Sequence, residues 1–255
     1  MTEDRLWTAD GERLHAVTVG SGADWVVLAH GFSGSAATPA VRRVAARLAV
    51  RATVLAYDAR GHGRSSGVTT MGDREVLDVD AAVRRARERG ARRVATVGFS
   101  MGGAAVLRHA AGVAGYGLRE RPDAVVAVSS TGPWSTRSAA RGSMRRVHLL
   151  AETGPGRLVA RRLLGTRIDP RGWRVVPVPP VDAVRDVTAP LLVVHGDRDG
   201  YFGLEHPRSL GAAAPAAEVW VEAGFGHAET AIAPELIDRI GAHLATVLAA
   251  RDGAP

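Results

Sequence analysis

The chain has 255 residues, 46% hydrophobic and 23% charged, with a formal net charge of +7. That length and apolar share suit one compact domain with a buried core and exclude wholesale disorder. Cysteine and lysine are both absent. This excludes thiol nucleophiles, disulfides, iron–sulfur clusters, thiolate zinc sites, a P-loop and Schiff-base chemistry.

In chain order, Leu6–Thr8, the turn Asp10-Gly11 and Arg13–Val19 predict a β-hairpin. Trp25–Ala29, Thr53–Tyr57, Val94–Gly98, Ala124–Val128, Leu191–Val194 and Glu218–Val221 are short apolar runs bounded by Gly, Asp or His. Such runs are expected of strands buried on both faces of a parallel sheet. Helices suit the gaps. Residues 39–50 and 101–114 are Ala-rich, and 74–89 place Val76, Val79, Val83 and Ala86 on one face before Gly90. A last helix over 234–250 opens on Pro234 and aligns Leu236, Ile240, Leu244 and Val247. The alternation predicts an α/β fold: a mostly parallel twisted sheet of about eight strands with helices on both faces, in one domain over 1–255. Residues 131–189 break the rhythm and predict a helical insertion over one end of the sheet.

Ten arginines (137, 141, 145, 146, 157, 161, 162, 167, 171, 174) lie between Trp134 and Arg174, against two acids, Glu152 and Asp169. The chain's excess of positive charge therefore sits in the insertion. It is either a solvated helical face or a patch for an anionic partner. Nucleic acid is not expected, since few aromatics are present to stack bases. The acidic start Met1–Arg5 leads into no apolar stretch, and no run approaches the ~20 apolar residues of a membrane span. A cytoplasmic protein without a transmembrane segment is expected.

Function in an open parallel sheet sits at the carboxyl ends of its strands. Gly98-Phe99-Ser100-Met101-Gly102 follows one strand and precedes a small-residue helix, the context of a nucleophile elbow. A Ser hydroxyl needs a base, and His is the usual one. Of nine His, His227 is best placed, in a glycine-flanked loop between the last strand and the last helix. His195, His30 and His62 read as structural; His15, His109, His148, His206 and His243 show no partner pattern. The base needs a carboxylate, and Asp197 and Asp199 both follow the Leu191–Val194 strand. Asp199 is preferred, because the longer loop carries it toward the His; Asp197 is the alternative acid or else a brace for the turn. The oxyanion donors are expected to be the backbone N–H groups of Met101 and Phe32. No metal-ligand spacing occurs, and no cofactor is implied. The Gly61–Gly67 glycines lack the helix and acid of a dinucleotide site.

These residues resemble the α/β-hydrolase superfamily. Asp58-Ala59-Arg60-Gly61-His62-Gly63-Arg64-Ser65 is similar to its D-x-R-G-H-G-x-S loop, and Gly98–Gly103 to its G-x-S-x-G-G elbow. The resemblance runs from His30-Gly31-Phe32 to Gly226-His227, also selects Asp199, and makes 131–189 a lid between the sixth and seventh strands. Where many members carry Val-Pro after the acid, Gly200-Tyr201-Phe202-Gly203 stands here. The expected activity is a serine hydrolase cleaving a carboxylic ester of a small-molecule acyl substrate. Phe32, Met101, Trp134, Trp173, Tyr201 and Phe202 are the expected pocket lining. The alternative is a thioesterase or acyltransferase drawing on an acidic carrier protein; attachment to anionic lipid through Arg157–Leu164 is a further option.

Overall fold

A computed structural model describes residues 2–135 and 142–250, so Arg137 and Arg141 of the basic cluster lie outside the described residues. Eight strands form one sheet in the order β1-β2-β4-β3-β5-β6-β7-β8. They are β1 (Thr2–Trp7), β2 (Arg13–Val19), β3 (Asp24–Ala29), β4 (Thr53–Tyr57), β5 (Arg93–Phe99), β6 (Ala124–Val128), β7 (Leu191–Gly196) and β8 (Glu218–Glu222). β1 and β2 are antiparallel to each other, and β2 is antiparallel to β4. Every pairing from β4 onward is parallel. The hairpin is longer than its apolar residues announce. Only Leu6 of β1 is buried, and it pairs with buried Leu14.

The helices are α1 (Pro39–Leu48), α2 (Glu75–Glu88), α3 (Met101–Ala111), α4 (Ser143–Glu152), α5 (Gly154–Leu163), α6 (Pro180–Ala183), α7 (Glu205–Ala213), α8 (Ala228–Ala231) and α9 (Pro234–Ala250). Alternate residues of one strand point to opposite faces, and both faces are covered. Val26 and Leu28 pack with Val41, Val44 and Leu48 of α1 and with Leu236, Ile240 and Leu244 of α9. Val27 and Ala29 pack with Val79 and Val83 of α2 and with Ala105 and Val106 of α3. Two-sided burial is why these strands read as unbroken apolar runs.

Between β6 and β7 the chain forms α4 and α5. No side chain of α4 is buried, and Leu149, Leu158 and Leu163 are exposed. This segment is tied back to the body chiefly along the Gly61–Thr70 loop. Thr69 and Ile168 form a parallel bridge, and the guanidinium of Arg167 donates to the carbonyls of Gly67 and Ser65. Arg167 is thus a tether, and Arg171 pairs with Asp169 at 2.8 Å; neither belongs to a free basic face.

Candidate active site

Ser100 follows β5 and opens α3 with φ 51° and ψ −111°, a backbone conformation that costs a non-glycine residue about 1–3 kcal/mol. The strain turns the chain sharply from strand to helix. A Cβ at Gly98 would collide with the Gly102 carbonyl, and one at Gly102 with the carbonyls of Ala29 and His30. The elbow is therefore packed backbone to backbone against its own helix and against β3. Ser100 N–H donates to the Val128 carbonyl at 2.9 Å.

Two loops at the ends of β7 and β8 bring the other expected residues to Ser100. A Cβ at Gly196 would collide with the Phe225 carbonyl, so these loops touch directly, and Arg198 N–H donates to the same carbonyl at 3.0 Å. His227 Nδ1 lies 2.6 Å from Asp199 Oδ2, and His227 Nε2 lies 2.9 Å from Ser100 Oγ. Asp199 Oδ1 accepts from the N–H groups of Tyr201 and Phe202 at 2.8 and 3.0 Å. Burial opposes the Asp199 charge, yet the bonds from His227 and these two amides hold its carboxyl below the usual value. Asp197 instead accepts from Gly224 N–H at 2.7 Å and braces the turn. Such a chain can transfer a hydroxyl proton to an imidazole whose tautomer a carboxylate fixes.

The Gly31–Gly34 turn approaches from β3. Gly31 C=O accepts from Gly34 N–H at 3.0 Å and from His30 Nδ1 at 2.7 Å. Among the described residues the N–H groups of Phe32 and Met101 have no hydrogen-bond partner. His30 Nε2 accepts from Ala59 N–H at 3.0 Å, joining this turn to the Asp58–Ser65 loop. That loop is scaffold. Asp58 accepts from the N–H groups of Ala36 and Arg64, and Arg60 is paired with Asp78 and Asp10 at 2.8 and 2.9 Å. Burial raises Asp78 to about 6 despite Arg60. Burial, with a smaller push from His30, lowers the His62 imidazole to about 3.

A cavity of about 840 Å³ opens beside Ser100, bordered by Phe32, Met101, Trp134, Trp173, Tyr201 and Phe202. Trp134 and Trp173 lie 5.0 Å apart, their N–H groups turned away onto the carbonyls of Pro177 and Thr70. Tyr201 stacks on His227 at 4.2 Å and Phe202 meets its edge at 5.6 Å, so these two rings hold the imidazole as well as border the cavity. The five histidines that showed no pattern in the sequence all have partners, among them Asp58 for His15, Asp80 for His109 and Glu218 for His243. His148 Nδ1 lies 2.6 Å from Glu152 on the cavity wall, a pair whose four-residue helical spacing was readable. His206 Nδ1 accepts from Gly132 N–H at 3.0 Å, through a tertiary contact that no sequence spacing announces. Glu229, whose carboxylate accepts the Gly31 N–H, is announced by no motif in the sequence. Among the described residues no group of three or more His, Asp or Glu could hold a metal ion, and no helix is long and apolar enough to cross a membrane.

Residues 26–241 match the model of the alpha/beta hydrolase family, Abhydrolase_6. The chain belongs to the alpha/beta hydrolase family. The hydrolase is similar in structure to the esterase Pf2001 of Pyrococcus furiosus, with 22% identity, coverage of 95% of this chain and 91% of that one, and a TM-score of 0.71. It is similar to the esterase RhEst1 of Rhodococcus sp. at 20% identity, 96% and 99% coverage and a TM-score of 0.72. It is also similar to Est1E of Butyrivibrio proteoclasticus with ferulic acid bound, at 20% identity, 94% and 96% coverage and a TM-score of 0.65. No curated protein sequence matches the hydrolase.

Proposed function

We propose that the protein is a cytoplasmic serine esterase. Ser100 Oγ attacks the carbonyl carbon of a carboxylic ester while His227 Nε2 takes its proton. Asp199 holds the imidazole tautomer and stabilises the imidazolium. The N–H groups of Phe32 and Met101 bind the oxyanion. The tetrahedral intermediate expels the alcohol, which takes the proton from His227, and leaves an acyl-enzyme. Water, deprotonated by His227, then releases the acid. The observation that carries this reading is the hydrogen-bonded chain from Ser100 through His227 to Asp199. The family and the esterases it resembles in fold support it.

The acyl group would lie against the paired rings of Trp134 and Trp173, under α4 and α5 acting as a lid. With their N–H groups satisfied elsewhere, both indoles offer apolar faces suited to a flat or aromatic group. Trp173→Ala is then expected to raise KM for an aryl-acyl ester roughly tenfold and to leave an acetyl ester within twofold.

The decisive experiment is rapid mixing with p-nitrophenyl acetate and labelling with a fluorophosphonate. A burst of about one equivalent per chain and covalent modification of Ser100 are expected. Ser100→Ala should abolish both and lower kcat by about 10⁴-fold or more. A wild-type rate in that variant would overturn the reading.

The same chemistry applied to an acyl group on an acidic carrier is the second reading. It is favoured by Arg145, Arg161 and Arg162, which are exposed on α4 and α5 and form no ion pair among the described residues. Their alanine variants would then slow carrier-bound substrates at low salt while sparing small neutral esters. Equal effects on both would remove this reading.

A further inference from the structure

Glu229 stands two residues after His227 in α8, and it is only 6% exposed. Its Oε1 accepts the Gly31 N–H at 3.0 Å. Its Oε2 is buried with no hydrogen-bond partner, and no Arg or His forms an ion pair with the carboxylate among the described residues. A buried acid without a counter-ion is costly, and proteins break local rules of this kind mainly where function requires it. The carboxylate lies beside the nucleophile. A Cβ built on Gly31 would sit 3.2 Å from Glu229 Oε2, 3.3 Å from Oε1 and 3.4 Å from Ser100 Cβ.

The peptide geometry gives this contact a consequence. The Gly31–Phe32 peptide is planar and trans, so the Phe32 N–H points away from the Gly31 carbonyl. That carbonyl is held by His30 Nδ1 and Gly34 N–H. The preceding peptide is held through its Gly31 N–H by Glu229. With both planes fixed, the direction of the Phe32 N–H is fixed. The Glu229 backbone is itself anchored, since its carbonyl accepts from Arg43 Nη2 at 3.0 Å and the neighbouring Ala228 N–H donates to Ser129 Oγ at 3.1 Å.

We infer that Glu229 is a positioning residue of the esterase site: by accepting the Gly31 N–H it aims the Phe32 amide, so that residues 227–229 set both the imidazole and one oxyanion donor. The inference rests on the serine esterase reading above. It assigns Glu229 no proton transfer and no contact with substrate.

The test compares Glu229→Ala, Glu229→Gln and Glu229→Asp with the wild type. The readouts are kcat and KM on p-nitrophenyl acetate, affinity for a trifluoromethyl ketone whose Ser100 adduct bears an oxyanion, and final stoichiometry of fluorophosphonate labelling. Glu229→Ala is expected to lower kcat at least tenfold with KM within twofold. It should weaken the ketone by the same factor as kcat/KM, and still label to completion. Glu229→Gln keeps an acceptor oxygen and should restore kcat to within about threefold of wild type. Glu229→Asp is one methylene too short and should resemble the alanine variant, which keeps the test intact if Glu229→Ala does not fold. Wild-type kcat in Glu229→Ala and Glu229→Asp would overturn the inference, as would a fallen kcat with unchanged ketone affinity, or Glu229→Gln as poor as Glu229→Asp. Absence of Ser100 labelling in the wild type would instead remove the esterase reading beneath it.

Discussion

The Asp199 side chain is fully buried, with Oδ1 on two backbone amides and Oδ2 on His227, while His195 Nε2 stands 3.7 Å away. Its carboxyl titrates below the usual value, burial notwithstanding. The native state therefore holds the charged form more tightly than the unfolded chain does. The stability it contributes is complete above about pH 4, the ordinary Asp value, and is lost as pH falls through the lower native one. Asp199 thus stays ionised wherever the enzyme is assayed near neutrality. Asp199→Asn is expected to cut kcat by about 10⁴-fold at every pH tested, rather than to move a limb of the pH–rate profile. Stopped-flow measurement from pH 6 to 9 checks this, and a variant that recovers full rate at high pH would contradict it. At this scale motif and spacing announced which side chains meet: Ser100, His227 and Asp199 form one hydrogen-bonded chain, while Asp197 turns to Gly224. The sequence was silent on Glu229, whose partner Gly31 lies 198 residues away, and no local pattern encodes that contact.

The strand–turn–helix of β5 and α3 is the element on which the site stands. Its glycines exist for contact, since the Cβ missing from Gly102 would occupy the space of two carbonyls from the end of β3. Gly102→Ala must push α3 away from the sheet, and a destabilisation of about 1–3 kcal/mol is expected, read as a lowered Tm alongside reduced fluorophosphonate labelling. An unchanged Tm would show that the elbow has slack. The parallel strands β3 to β7 were legible because both faces are apolar, whereas β8, expected to be buried on both faces, lies at the sheet edge with no buried residue. β1 was legible only around Leu6, because Thr2–Arg5 of that edge strand are polar and are held by the ladder to β2 rather than by burial. The helix over 234–250 has the expected bounds, while α1 and α3 stop two and three residues early, at Leu48 and Ala111, because capping rather than composition decides such ends.

Across the whole molecule, several imidazoles are buried in their neutral form. Burial lowers His62 to about 3 and also lowers His109, His195 and His206. For each, the unfolded chain binds a proton that the native state refuses, so stability rises with pH over the window between the native and ordinary values. For His62 that window runs from about 3 to 6.5, where one proton contributes a slope of about 1.4 kcal/mol per pH unit. His62→Gln is expected to flatten the acid side of the stability curve by about that slope in urea titrations from pH 4 to 6. An unchanged slope would show that His62 is not the proton acceptor on unfolding.

The order in which the strands are laid down has its own consequence. Phe32 and Ser100 belong to the first half of the polypeptide, whereas Asp199 and His227 follow the last two strands, β7 and β8, at one edge of the sheet. A ribosome-bound chain that has already folded β3 to β6 would display its hydroxyl yet possess neither base nor acid. On the serine esterase reading proposed above, that hydroxyl would become reactive only when the final quarter docks.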